Sequence, residues 1–268
     1  MTAHEPLTDL RQLDLRFVRR GDSTVLDRRI FSWPYVIART FALAEDLPHQ
    51  RTVILQTAGG AIHGGDTLRQ RLQLDAGAAA ELLTQGAGAV HRAHPGETTR
   101  ETIELAVADG AWLDYLPQPR ILFPDAALVQ RLDIDLAPSA IAFVADAFTL
   151  HDPLGAGRLF RSLQSSITVR RDGEPVFIDR ADIAGMPRHF AHHSCHGSLL
   201  ILAPRDPSTL EGWALELSSA LQGEEGLYAA ASLLPSGIGI GLRFAATELR
   251  HLRAATDLAR QFARRRLL

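Results

Sequence analysis

The chain has 268 residues, 46% of them hydrophobic, and this length and composition suit a single domain over residues 1–268. Its net charge of −3 leaves too little positive charge to favour nucleic acid as a partner. All 28 basic residues are arginine, so a phosphate-loop lysine, a Schiff-base lysine and a lysine general base are excluded. The opening residues lack the apolar segment of a secretory signal and no apolar run is long enough to cross a bilayer, so we expect a cytoplasmic protein without membrane contact.

Short strands are predicted along most of the chain, because apolar and polar residues alternate. Leu13, Leu15 and Phe17 share one face of a strand, and the same alternation recurs at 103–107 and 132–136. Further strands are predicted at 52–56, 71–75, 80–84, 166–171, 175–179 and 198–203. Gly, Pro and Asp separate these runs at intervals too short for repeated crossover helices. The predicted fold class is therefore mainly β, a large antiparallel-rich scaffold of many short strands with two α-helices toward the C-terminus.

The two helices are predicted from their caps and their apolar spacing. Ser208 and Glu211 form a capping box, in which each side chain satisfies a backbone donor, and apolar residues follow at helical intervals. The second helix is predicted from Thr247 onward. Its last turns carry Arg264, Arg265 and Arg266, whose positive charge offsets the negative end of the helix dipole.

Three segments between residues 55 and 126 each combine a short apolar run with Gly or Pro punctuation. Their characteristic residues are Gly59, Gly60, Gly64, Gly65 and Asp66 in the first, Thr84, Gln85 and Arg92 in the second, and Leu116, Pro117, Gln118, Ile121, Phe123 and Ala126 in the third. In order and spacing these segments resemble the urease accessory protein D family, called UreD in some bacteria and UreH in others.

The glycine-rich loop at 59–66 also suggests phosphate binding, because consecutive backbone amides can hold an anion. It lacks both the G-x-G-x-x-G spacing and a Gly-Lys-Ser/Thr ending, and a predicted strand follows it where a phosphate site needs a helix. We therefore interpret these residues as turn glycines. Asp66 either caps its own turn or lines an interior passage, and the sequence leaves both readings open.

The family resemblance implies a scaffold without catalytic activity that helps to deliver nickel to immature urease. The implied partners are a helical accessory adaptor, a GTPase accessory protein and apo-urease, and nickel would be bound only transiently, with no tightly bound cofactor. Four residues would line a polar passage through the protein: Asp66, Thr84, Gln85 and Asp146. Seven more match the structural motif of the family: Gly59, Gly60, Gly64, Gly65, Arg92, Pro117 and Gln118.

Some residues differ from the family pattern. Ala89 and His91 stand where Lys and Tyr are usual, while His151, Asp152 and Arg158 stand where Gly, Arg and Glu are expected. These differences motivate an alternative within the family, a scaffold for a different metalloenzyme.

A histidine-rich segment late in the chain is a candidate metal site. It contains His189, His192, His193, Cys195 and His196, and imidazole and thiolate are ligands that nickel and zinc prefer. The spacing matches no standard zinc module, so a solvated polar loop is the competing interpretation. A third alternative, from another class of protein, is a metal-dependent or Cys/His hydrolase with Cys195 as nucleophile and either His193 or a distant histidine as base.

Overall fold

Two β-sheets face each other across the interior of the computed structural model, which describes residues 11–184 and 192–268. The first sheet contains, in spatial order, β16 (Glu174–Ile183), β15 (Ser162–Arg171), β13 (Ala127–Leu136), β10 (Thr99–Val107), β7 (Thr67–Leu74), β1 (Leu13–Arg20) and β2 (Ser23–Phe31). The second contains β18 (Leu227–Leu233), β19 (Gly239–Ala246), β17 (Cys195–Leu202), β14 (Ile141–Leu150), β11 (Trp112–Leu116), β8 (Ala79–Thr84), β5 (Arg51–Thr57) and β3 (Tyr35–Val36). The short strand β4 (Thr40–Phe41) pairs with β5, and a side row consists of β6 (Ala61–Ile62), β9 (Gly88–Val90) and β12 (Arg120–Leu122).

The chain winds between the two sheets as a solenoid. Each turn contributes one strand to each sheet, as β7 and β8 do and then β10 and β11, so the equivalent strands of successive turns lie side by side and run parallel. Antiparallel pairs occur at the ends, between β1 and β2, between β15 and β16, and among β14, β17, β19 and β18.

The mainly β fold with two C-terminal helices is confirmed, but the expectation of antiparallel-rich sheets needs correction, because the sheets are mixed. Parallel neighbours need a long connection. In this fold a strand of the opposite sheet provides that connection, so crossover helices are not required.

Aligned apolar side chains form the core between the sheets. In the first sheet one buried row crosses five strands, through Leu15, Leu72, Leu105, Ile134 and Val169. In the second sheet the corresponding row is Val53, Leu82, Tyr115, Val144 and Leu200. Both rows belong to one hydrophobic cluster. Because side chains alternate between the faces of a strand, a slip of one residue would turn a whole row away from the core.

Helices α1 (Pro207–Leu221) and α2 (Leu249–Leu267) pack on the outer face of the second sheet through a separate hydrophobic cluster. The cap of α1 differs from the predicted capping box. The carboxylate of Asp206 accepts from the backbone N–H of Thr209 at 2.9 Å, and the Ser208 hydroxyl donates to that carboxylate at 2.7 Å. The helix begins earlier because Pro207 has no N–H to satisfy and a φ suited to the first helical position. No helix in the described ranges is long and apolar enough to span a bilayer.

A buried ion network holds α2 against the second sheet. Asp114 on β11 is fully buried and accepts from Arg260 Nη2 at 2.6 Å, from Arg264 Nη1 at 2.8 Å and from Trp112 Nε1 at 2.7 Å. Arg260 also pairs with Glu81 of β8. Because each charge has an opposite partner, the desolvation that makes isolated buried ions unfavourable is offset here.

Candidate functional site

A row of polar side chains interrupts the apolar interior near one end of the first sheet. Glu101, Gln130 and Ser165 are neighbours in register on β10, β13 and β15. Asp146 of β14 reaches this row from the opposite sheet: Gln130 Nε2 donates to its Oδ1 at 2.6 Å, and Ser165 Oγ donates to its Oδ2 at 2.9 Å. Burial raises the pKa of the Asp146 carboxyl, and these two hydrogen bonds only partly counter that effect.

Glu101 and Arg120 form a buried ion pair beside Asp146. Glu101 is 1% exposed, and the Arg120 guanidinium donates to both of its carboxylate oxygens, with an Nε to Oε2 distance of 3.1 Å. Gln70 Nε2 donates to Glu101 Oε1 at 2.8 Å. A Cβ atom on Gly88 of β9 would overlap Arg120 Nη1, so the absence of a side chain at this position leaves room for the guanidinium.

Two cavities meet at these residues. A wide, open cavity of about 570 Å³ is lined by residues of both sheets and is bordered by the edge strands β16 and β18. A small interior cavity of about 20 Å³ lies behind it and has room for about one water molecule. Arg120, Gln130, Asp146 and Ala147 line both cavities. Polar groups are therefore continuous from the open cavity into the interior.

Of the four residues predicted to line a passage, Asp146 is the one that lines these cavities. Thr84 is half-buried, and its Oγ1 accepts from the Gln118 N–H at 2.9 Å. Gln85 is exposed, and its N–H donates to the carbonyl oxygen of Leu55. Asp66 accepts from the His63 N–H at 2.8 Å and so closes its own turn. None of these last three lines either cavity.

The residues assigned to the structural motif divide between the interior and a turn. Pro117 and Gln118 line the small cavity, where Gln118 Oε1 is buried without a hydrogen-bond partner in the described chain. Gly59, Gly60 and Gly65 have positive φ values of 101°, 66° and 85°, respectively, which glycine adopts readily. Of the remaining two residues, Gly64 packs so closely on Ala93 that a Cβ atom would not fit, and Arg92 is exposed.

Two of the five predicted His/Cys ligands lie on opposite sides of one strand. Cys195 and His196 are adjacent on β17 and point to opposite faces: Cys195 is buried against Ala246 and Leu252, whereas His196 lines the open cavity. Burial lowers the pKa of His196, and its Nε2 lies 2.8 Å from the His193 carbonyl oxygen.

Metal binding by the histidine-rich segment as a whole stays a prediction. His192 is exposed and His193 is half-buried, while His189 lies outside the described residues. Within the described ranges no group of three or more His, Cys, Asp and Glu side chains is arranged to hold a metal ion. The hydrolase alternative gains no support from geometry, because Cys195 Sγ contacts the hydroxyl groups of Thr149 at 3.2 Å and Ser194 at 3.6 Å, and neither is a base.

A second surface cavity, of about 560 Å³, is lined by three of the five residues that depart from the family pattern, His91, Asp152 and Arg158. His91 stacks on His63 with ring centroids 5.1 Å apart, and Phe123 contacts His91 at 4.8 Å and His151 at 5.2 Å. The sequence shows these differences one at a time. Their proximity is not visible in it, because the side row of the solenoid brings together segments that are far apart in sequence.

Comparison with known proteins gives a consistent result. A family model described as UreD urease accessory protein matches residues 11–268. Urease accessory protein UreD 2 of Bradyrhizobium sp. (strain BTAi1 / ATCC BAA-1182) is 51% identical over 248 residues, which cover 92% of this chain and 86% of that protein. Urease accessory protein UreD 2 of Bradyrhizobium sp. (strain ORS 278) is 51% identical over 93% of this chain and 87% of its own length. Urease accessory protein UreD of Mycolicibacterium smegmatis is 34% identical over 94% and 92%, respectively.

Proposed function

The chain belongs to the UreD family of urease accessory proteins, and from that premise we propose that it is a non-catalytic scaffold in urease maturation. It would act in the cytoplasm with a helical accessory adaptor and a GTPase accessory protein, and would pass nickel to apo-urease. Nickel is the cargo of this process and binds only transiently. The observation that supports this role best is the polar row around Asp146, which extends from an open cavity into the protein.

Weak oxygen ligands suit a passage for nickel. Carboxylate, amide and hydroxyl oxygens line the two cavities, and nickel prefers nitrogen and sulfur donors over these. An ion could therefore move between such groups without being held tightly. Of the two candidate strong ligands on β17, Cys195 Sγ faces away from the open cavity, whereas the His196 imidazole lines it.

The apolar surfaces around the open cavity support a docking role. Tyr228 on the edge strand β18 lines the open cavity and is 73% exposed. Exposed apolar side chains beside a wide cavity are typical of interaction sites. We propose that an accessory partner covers this end of the solenoid.

Tyr228→Arg is expected to reduce co-purification with the accessory partners at least tenfold, because a charged side chain would be buried without a partner when the complex forms. The measurement is co-expression followed by affinity capture and size-exclusion chromatography. Leu154→Arg is the matched control, since Leu154 is 78% exposed and lines the second surface cavity, which contains His91. Equal capture of both variants would place the docking surface elsewhere, and failure of the unaltered chain to bind any accessory protein would contradict the proposed function.

Asp146→Asn is expected to lower nickel loading and activation of urease several-fold while the complex still assembles. The amide is nearly isosteric and keeps an acceptor for Gln130, but it removes the ionisable carboxylate from the passage. Because burial raises the pKa of Asp146, the ionised carboxylate is disfavoured in the folded protein, so the variant should be slightly more stable at pH 7. That gain should disappear at a pH low enough to protonate Asp146 in the folded and unfolded states alike.

The control for Asp146→Asn is Asp182→Asn, which makes the same change at an exposed position on the wall of the open cavity. Nickel content and urease activity would be measured after co-expression with the accessory proteins and the urease subunits. Normal activation by Asp146→Asn would show that the ion does not pass this residue. Activation of another nickel enzyme in place of urease would favour the alternative client.

A further inference from the structure

The boundary between the two cavities has an unusual charge arrangement. Arg120 stands at this boundary with its guanidinium paired to Glu101, while the carboxyl group of Asp146 borders both cavities. A cation that enters from the open cavity would therefore meet a resident positive charge before it reached the interior. This inference rests on the proposed passage and concerns how that passage is closed.

The small cavity provides oxygen atoms that suit a cation. Glu101 and Asp146 contribute carboxylates, and Gln118 contributes the buried Oε1 atom that has no hydrogen-bond partner in the described residues. A buried acceptor without a donor is unfavourable unless a water molecule or a cation satisfies it. The cavity volume of about 20 Å³ matches one water molecule or one small ion.

Arg120 is held in place by contacts that a cation could replace. Its bonds to Glu101 are charge-assisted, and Gly88 leaves the space that Nη1 occupies. If the guanidinium moved away, Glu101 would keep its hydrogen bond from Gln70 but would lose its counter-charge. A divalent ion between Glu101 and Asp146 would supply that charge.

We propose that Glu101, Gln118 and Asp146 form a divalent-cation site inside the passage, and that Arg120 closes this site at rest as its resident counter-cation. An arriving ion displaces the guanidinium and binds the carboxylate oxygens. When the ion leaves, Arg120 pairs with Glu101 again. The arginine therefore prevents the two carboxylates from trapping the cargo.

Nickel titration of the purified full-length chain by calorimetry tests this proposal without any urease present. Arg120→Met removes the resident charge and keeps most of the side-chain volume, so it should bind one Ni²⁺ about tenfold more tightly than the unaltered chain. The gain should be lost in the Arg120→Met, Asp146→Asn double variant. Arg243→Met is the control, because Arg243 pairs with Asp179 at the rim of the open cavity and not in the interior.

Gly88→Ala is a second, independent variant that tests the proposal if Arg120→Met does not fold. Gly88→Ala places a methyl group where Arg120 Nη1 now lies, so it should push the guanidinium aside and raise nickel affinity while both charges remain. Unchanged affinity in Arg120→Met and in Gly88→Ala, or a gain that survives Asp146→Asn, would overturn the proposed site. The role in urease maturation is judged separately, by whether the unaltered chain supports activation.

Discussion

Replacing Asp114 with alanine should lower the free energy of unfolding by about 3–5 kcal/mol, the range found when one partner of a buried ion pair is removed. The carboxylate is fully buried and accepts hydrogen bonds from Arg260, Arg264 and Trp112. Without it, two guanidinium groups remain against the second sheet with less compensating charge. The indole N–H of Trp112 also loses its acceptor.

Urea denaturation followed by circular dichroism and tryptophan emission would measure this loss. Asp114→Asn should lose less stability, because the amide keeps one acceptor oxygen. Glu216→Ala is the matched control: Glu216 of α1 pairs with Arg266 of α2, but it is 57% exposed, so the loss should stay below about 1 kcal/mol. Similar losses for Asp114→Ala and Glu216→Ala would show that the buried network does not hold α2 in place.

Gly239→Ala should destabilise the protein by about 3 kcal/mol, toward the upper end of the range for overpacked sites. A Cβ atom on Gly239 would overlap the carbonyl oxygen of Ile201 and lie 2.9 Å from the Cα atom of Leu202. Both are backbone atoms of β17, which pairs with β19 at this point. They cannot rotate away as a flexible side chain could, so the two strands would have to separate locally.

Gly212→Ala provides the opposite control for that substitution. Gly212 lies within α1, and a Cβ atom there would meet no other group within 4 Å. Alanine should stabilise the helix by roughly 0.5–1 kcal/mol, because glycine loses more conformational freedom on folding. Thermal and urea unfolding of the two variants would therefore shift in opposite directions. A neutral Gly239→Ala would mean that β17 and β19 can move apart easily.

Strand positions followed from the sequence, but the pairing of the strands did not. Leu13, Leu15 and Phe17 lie on one buried face of β1, as their alternation predicts. Alternation reports which side of a strand is buried, and this is the same for parallel and antiparallel neighbours. The solenoid depends on contacts between successive turns, such as that between Leu105 and Ile134. Such a contact cannot be recognised from the sequence around either residue.

The candidate site was partly readable from local sequence. A carboxylate at the end of an apolar strand identified Asp146 as a group that needs partners. Glu101, Gln130 and Ser165 carry a comparable signal, since each stands two residues before a buried core residue and so occupies an inward position. Arg120 could not be recognised in this way, because its partner Glu101 lies 19 residues earlier, on a strand of the first sheet.

The network that anchors α2 also has a consequence for protein synthesis. Arg260 follows Asp114 by 146 residues, and Arg264 follows Asp46 by 218. The solenoid turns therefore leave the ribosome well before the helix that covers their outer face. Until α2 emerges, Asp114 and Glu81 lack their arginine partners and the apolar surface under α2 stays open to water. The nascent chain thus has a prolonged interval in which chaperone binding to this surface would prevent aggregation.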